Sequence, residues 1–219
     1  FRDYVVAEHA TRASERGSVA WAWWKERAQG YPLPLNMPLV STQKAGRASM
    51  QTFARVIPAD QWSVIESGSD AYGVSPSICF YAMLAEVWAM YHTSRHFTMA
   101  MMYTRRLPLH PAVEALRGNF YTVVPLEVNL LEGRTFDALL KDVQAQTLDI
   151  HRNRWSSGID AMQQLSAVFK RVGRAVVPFV ISSAIGRGAN TSISSSSFGS
   201  GVVRGTYAPP QVLVDVNLI

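Results

Sequence analysis

Apolar positions along this chain recur in two rhythms. Spaced three and four apart they predict helices; alternating, or run together over a few residues, they predict strands. Residues 1–29 mix Tyr4, Val5, His9, Trp21, Trp23 and Trp24 with charge pairs and end at Gly30, which reads as helix. Tyr31 to Leu39, YPLPLNMPL, has three prolines in nine residues, so an extended connector is expected there. Ser49 to Ile57 alternates like a strand, and Pro58 opens a helical segment through Trp62 and Ile65 to about Tyr72, closed by Gly73.

The clearest helix is GVSPSICFYAMLAEVWAMYHTS. Ser75 is placed to cap it, Pro76 suits its first position, and Tyr81, Leu84, Ala85, Trp88 and Tyr91 share a face that should be buried. Phe97 to Arg106 and Phe120 to Val128 read as strands, with a short helix at Pro111 to Leu116 between them. Thr135 to Arg152 is helical, with Phe136, Leu139, Leu140, Val143, Thr147 and Ile150 at turn spacing, and Gly158 to Val172 is helical again. Val176 to Ser182 is continuously apolar, as in a strand covered on both faces, and Gln211 to Leu218 is the last strand. Ala189 to Gly201, ANTSISSSSFGSG, has the low complexity of a mobile loop. Strands and helices mix throughout with no internal repeat, which predicts an α/β sandwich on one sheet.

Composition narrows the class. Of 219 residues 48% are apolar and 17% charged, enough for a sizeable core. The charge of +5 is scattered, which favours an acidic protein partner over nucleic acid. No apolar run nears the roughly 18 residues of a membrane span, and there is no signal peptide. The one cysteine, Cys79, lies in an apolar stretch and fits a small buried side chain in a reducing, cytoplasmic setting. The chain begins at Phe1, as a segment of a longer polypeptide would.

Several chemical signals fail on spacing. His92 and His96 are four apart but lack a third ligand and the Glu of a zinc protease motif, so no metal site is expected; a helix C-terminus suits them better. Asp137 and Asp142 point about 140° apart on a helix and are expected in solvent. No Gly-rich loop ends in Lys-Ser or Lys-Thr, and the serines between residues 194 and 200 lack a nucleophile elbow. What stands out is polarity inside apolar strands: Ser182 with Ser183 in VVPFVISSAIG, and Asp215 in PPQVLVDV. A carboxylate removed from water is costly unless paired, so such an acid sits at a rim, bonds to backbone or serves chemistry.

In order and spacing, FRDYV, a Trp-rich helix ending WWKERA, PLPLNMPL, VSPSICFYAMLAEVWAMY, FTMAMMYTRRLPLHPAVEALRGNF, SSGIDAMQQL, VPFVISSAIG and PPQVLVD resemble the heterocyclization domain of nonribosomal peptide synthetases. That is the cyclizing branch of the condensation-domain family. The most specific part is RLPLHP at Arg106 to Pro111, with Gly118 and Phe120 after it. The resemblance implies a chloramphenicol acetyltransferase-like two-layer α/β sandwich, one lobe of a V-shaped pair around a tunnel. Residues 1–40 would be a helix and Pro-rich interlobe linker, and 41–219 the C-terminal lobe.

The resemblance further implies that an acyl or peptidyl thioester is joined to a carrier-bound Cys, Ser or Thr, whose side chain then closes on the new carbonyl and water leaves, giving a thiazoline or oxazoline. No cofactor would be bound by the chain itself, because substrates arrive on phosphopantetheine arms. Partners would be upstream and downstream peptidyl or aryl carrier proteins, the N-terminal lobe and an adenylation domain, with no nucleic acid and no membrane. By motif, the family's catalytic Thr falls on Ser182 and its catalytic Asp on Asp215. Ser183, Asn119, Ala100, Met102 and Asn217 would line the tunnel. Ala100 and Met102 replace the usual Asn and Thr, Asn119 replaces an Asp, and Leu213 replaces a Trp. These departures leave two alternatives beside cyclization: amide formation alone, or a platform that binds carrier proteins without catalysis.

Overall fold

The first 29 residues form two helices, where the apolar rhythm alone predicted one. In a computed structural model, which describes residues 1–37, 51–171, 175–185 and 211–218, α1 (Arg2–Thr11) ends and α2 (Glu15–Ala28) begins at an elbow built from hydroxyls. The Ser14 hydroxyl donates to the Thr11 carbonyl at 2.6 Å and accepts from the Gly17 N–H at 3.1 Å, so one side chain serves both helix ends. A Cβ on Gly17 would overlap the Thr11 carbonyl, so the turn requires glycine.

The remaining elements are α3 (Ala59–Ala71), α4 (Pro76–Ala89), β1 (His96–Thr104), β2 (Tyr121–Asn129), α5 (Phe136–Arg152), α6 (Gly158–Val168), β3 (Phe179–Ser183) and β4 (Val214–Leu218). Side-chain caps mark the clean helix starts. Ser75 accepts from the Ile78 N–H, Thr135 from the Ala138 N–H, and Ser157 with Asp160 forms a reciprocal capping box on α6.

The four strands make one mixed sheet in the order β2-β1-β3-β4. The β1–β2 pair is antiparallel, and β1–β3 and β3–β4 are parallel. Alternate residues of a strand point to opposite faces. One face carries Phe97, Met99 and Met101 of β1, Val124, Leu126 and Val128 of β2, and Phe179 and Ile181 of β3. All are buried in a single core with Trp24 of α2, Tyr81, Ala85 and Trp88 of α4, Leu139, Leu140 and Val143 of α5, and Ala161 and Leu165 of α6. Helices therefore cover one face of one sheet, the two-layer α/β sandwich expected. Gly158 lets α6 start directly against β2, since a Cβ there would overlap the Val123 carbonyl and the Thr122 hydroxyl.

The Pro-rich stretch, described as far as Met37, is extended and is built into the sheet. Pro34 bridges Thr98 in the parallel sense, the Leu35 N–H donates to the Thr98 carbonyl at 2.9 Å, and Leu35 is buried in the core. The Tyr31 hydroxyl donates to the Pro125 carbonyl at 3.1 Å, and burial pushes its pKa up to about 12.

Other expectations shift. Residues 51–56 are exposed and Ile57 is half-buried, none of them in a strand, and Ser49 and Met50 lie outside the described residues, as does Ala189 to Gly201. Helix α4 stops at Ala89, which leaves Tyr91 beyond the buried stripe and 63% exposed. Pro111 to Leu116 contains only a single 3-10 turn, Val113–Ala115. Helix α6 ends at Val168, before a left-handed Lys170 (φ 52°). Strand β3 starts at Phe179, later than predicted, after Pro178. Strand β4 starts at Val214 because Gln211 takes a positive φ of 66° and turns the chain. Cys79 is half-buried and packs on the core.

Candidate functional site

The sheet face opposite the main core holds Asp215, Ser182 and Asn217. Cross-strand register puts Ala100, Val180 and Asp215 in one row across β1, β3 and β4. Two residues further along, Ser182 pairs with Asn217, and Met102 has the same parity on β1. The fold thus brings Asp215, Ser182, Asn217, Ala100 and Met102 onto one face, although up to 117 positions separate them in sequence.

Ala100, Val177 and Val180 form a small apolar cluster on this side, with Val123, Met162 and Val212 packed against it. Asp215 stands beside that cluster. Its Oδ1 is buried and has no hydrogen-bond partner among the described residues. A buried acceptor without a donor is rare in folded proteins, because it forfeits its water and gains nothing in return. The Ser182 hydroxyl, diagonal to Asp215 in the register, donates to Asn217 Oδ1.

Two expected site residues lie elsewhere. Ser183 turns to the helix side, where its hydroxyl and that of Ser77 on α4 are 2.7 Å apart and the Ile185 N–H donates to it at 3.3 Å. Asn119 precedes β2, the opposite edge of the sheet from β4, and its side-chain oxygen accepts from the Tyr121 N–H at 2.9 Å to shape the turn. Ser77, which holds Ser183 in place, had no signal in the sequence, because only the packing of α4 on β3 brings the two together. Leu213 is 46% exposed and joins Leu35, Phe179 and Arg171 in walling a cleft of about 290 Å³ beside the start of β4.

The other chemical candidates are absorbed into structure. His92 follows α4 and stacks on Phe97, while His96 opens β1 and lies 2.7 Å from Glu127. Asp137 pairs with Lys141 at 2.6 Å, and Asp142 pairs with Arg134. Among the described residues no three His, Cys, Asp or Glu side chains are grouped to hold a metal. No helix among them is long and apolar enough to cross a membrane.

Comparison with known proteins follows the same lines. The condensation-domain family matches residues 1–174. The chain belongs to that family. Phenyloxazoline synthase MbtB of Mycobacterium sp. (strain MCS) is 28% identical over 199 residues, covering 90% of this chain and 17% of MbtB. Pyochelin synthetase PchF of Pseudomonas aeruginosa (strain UCBPP-PA14) is 25% identical, covering 85% of this chain and 10% of PchF. Among solved structures, the EpoB nonribosomal peptide synthetase cyclization-docking bidomain from Sorangium cellulosum is 25% identical with a TM-score of 0.84, over 99% of this chain and 43% of that one. This condensation-family chain therefore spans a minor part of each relative. The RLPLHP segment that marked the resemblance also has a structural role in it. Leu107, Val113 and Phe120 form a second small core with Tyr4 of α1, and the Arg106 guanidinium lies 3.8 Å from the centre of the Phe120 ring.

Proposed function

We propose that this condensation-family chain is the C-terminal lobe of a heterocyclization domain, with residues 1–40 as helix and interlobe linker and 41–219 as the lobe. It works on substrates carried by phosphopantetheine arms of carrier proteins, beside an N-terminal lobe and an adenylation domain in the cytoplasm. The observation that carries this reading is the buried, unpartnered Oδ1 of Asp215 on the sheet face that also bears Ser182. A carboxylate oxygen without a donor is free to receive a substrate proton.

The chemistry needs one proton carrier used twice. The Cys, Ser or Thr side chain of the linear amide attacks the amide carbon, its proton passes to Asp215, and Asp215 hands that proton to the carbonyl oxygen, which becomes a hydroxyl. Asp215 then takes the ring N–H proton and delivers it to that hydroxyl; the C–O bond breaks, water leaves and the C=N bond forms. Hydroxide is a poor leaving group and water a good one, so a carboxyl group on the apolar flank of the site serves both steps. Alignment with names such as phenyloxazoline synthase and cyclization-docking bidomain supports cyclization over amide formation alone.

The test is intact-mass analysis of the acceptor carrier protein after the intact protein containing this chain is given a loaded donor and a cysteinyl acceptor. A product lighter than the linear amide by one water is expected. A linear amide that keeps its water would support condensation only, and carrier binding without product would support the platform.

A further inference from the structure

Resting on that reading, we infer that Asn217 is a positioning residue for the ring-closing step: its side-chain oxygen accepts the Ser182 O–H hydrogen bond and so presents the Ser182 oxygen to the substrate as an acceptor. A serine hydroxyl has one hydrogen and two lone pairs. Here the hydrogen is spent on Asn217 Oδ1, directly across the β3–β4 pairing from Ser182. What Ser182 can offer anything else is therefore a lone pair.

The same bond bears on Asp215. Ser182 and Asp215 lie diagonally on one sheet face, and a carboxylate is a stronger acceptor than an amide oxygen. The Ser182 hydroxyl nonetheless donates to Asn217, and Asp215 Oδ1 has no donor among the described residues. Two acceptors with separate duties result. Asp215 moves the proton, and Ser182 receives a hydrogen bond from the N–H or the new O–H of the ring intermediate and orients it. Ala100 and Val180 in the Asp215 row carry no polar atom on their side chains, so neither competes.

The experiment is a double-mutant cycle in the intact protein, read as the ratio of cyclized to linear product by intact mass over a single turnover. Asn217→Ala is expected to lower that ratio about tenfold, the scale of one hydrogen bond. Ser182→Ala should lower it by a similar factor, and the double variant by no more than either alone, because Asn217 acts only through Ser182. Asn217→Asp keeps an acceptor at the same place and should recover most of the ratio. Independent losses that multiply in the double variant would overturn the inference. So would a wild-type ratio in Asn217→Ala, or equal slowing of amide formation and ring closure, which is what a merely structural role gives. A wild-type protein that makes only linear amide would instead overturn the proposed function, and this inference with it.

Discussion

Ser182 and Ser183 are neighbours on one strand and face opposite ways, and the two sides of the sheet treat them differently. On the helix side, Ser183 meets Ser77 and the Ile185 N–H, in keeping with a face whose core is dense and apolar. On the other side, the Ser182 hydroxyl donates to Asn217 while the Asp215 carboxylate beside them has an oxygen with no donor among the described residues. On the helix face the polar group of β3, Ser183, is paired. On the far face the Asp215 Oδ1 has no donor among the described residues, which costs stability and is what the proposed proton-carrying role would account for.

Four changes would break or sharpen that contrast. The largest effect is expected from Asp215→Asn, which preserves size but cannot carry the proton. Ring closure should fall by about 100- to 10,000-fold, the usual range for a general acid–base group, so that linear amide accumulates on the carrier protein. Its denaturation midpoint should not fall, since no hydrogen bond to Oδ1 is lost among the described residues. A variant that forms rings at the wild-type rate would remove Asp215 from the mechanism.

On the helix face, Phe179→Ala should act on stability alone. Phe179 is 1% exposed and meets the Trp88 ring edge-on at 5.8 Å, and truncating such a side chain costs about 3–5 kcal/mol. Urea unfolding followed by tryptophan fluorescence would measure it. Next in size is Ser183→Ala, expected to cost about 1 kcal/mol through the lost contacts to Ser77 and Ile185. Unlike Ser182→Ala, it should leave the ratio of cyclized to linear product unchanged.

The smallest effect is a pH dependence away from the site. Burial alone would push the Asp160 carboxyl up. The Ser157 N–H and hydroxyl, nearby Arg12 and the Ser156 hydroxyl outweigh it, and the carboxyl is held below the usual carboxylate range. A lowered folded pKa adds stability that is complete above the unfolded value of about 4 and fades as pH falls through the folded one. The stability gap between wild type and Asp160→Asn should therefore be widest near neutrality and close in acid, as thermal melts across pH 2–7 would record. A gap that widened in acid would contradict the sign.

Much of the fold was legible because it is local. Ser75 with Pro76, and Thr135 ahead of an amphipathic run, announce helix starts, since caps and periodicity act within a few residues. The errors have local causes too. The 1–29 stretch kept its apolar rhythm through the Thr11–Ser14 elbow, and the rhythm does not register one capping serine. Tyr91 continued the stripe of α4 in sequence after the helix had ended. Residues 51–57 alternate like a strand but find no partner strand in the described structure, and a strand is defined by its partner.

The sequence by itself determined the alternation of helices and strands, the helix caps, the apolar faces and the presence of an acid within a strand. Each follows from neighbours along the chain or from the family pattern of motifs. Tertiary structure alone decided which polar groups meet. Register across β1, β3 and β4 sets Asp215 beside Val180 and Ala100, and joins Ser182 to Asn217, while strand parity sends Ser183 to the helices and β-strand order keeps Asn119 at the far edge. Pairing between strands depends on crossovers tens of residues long, and no local spacing encodes that distance.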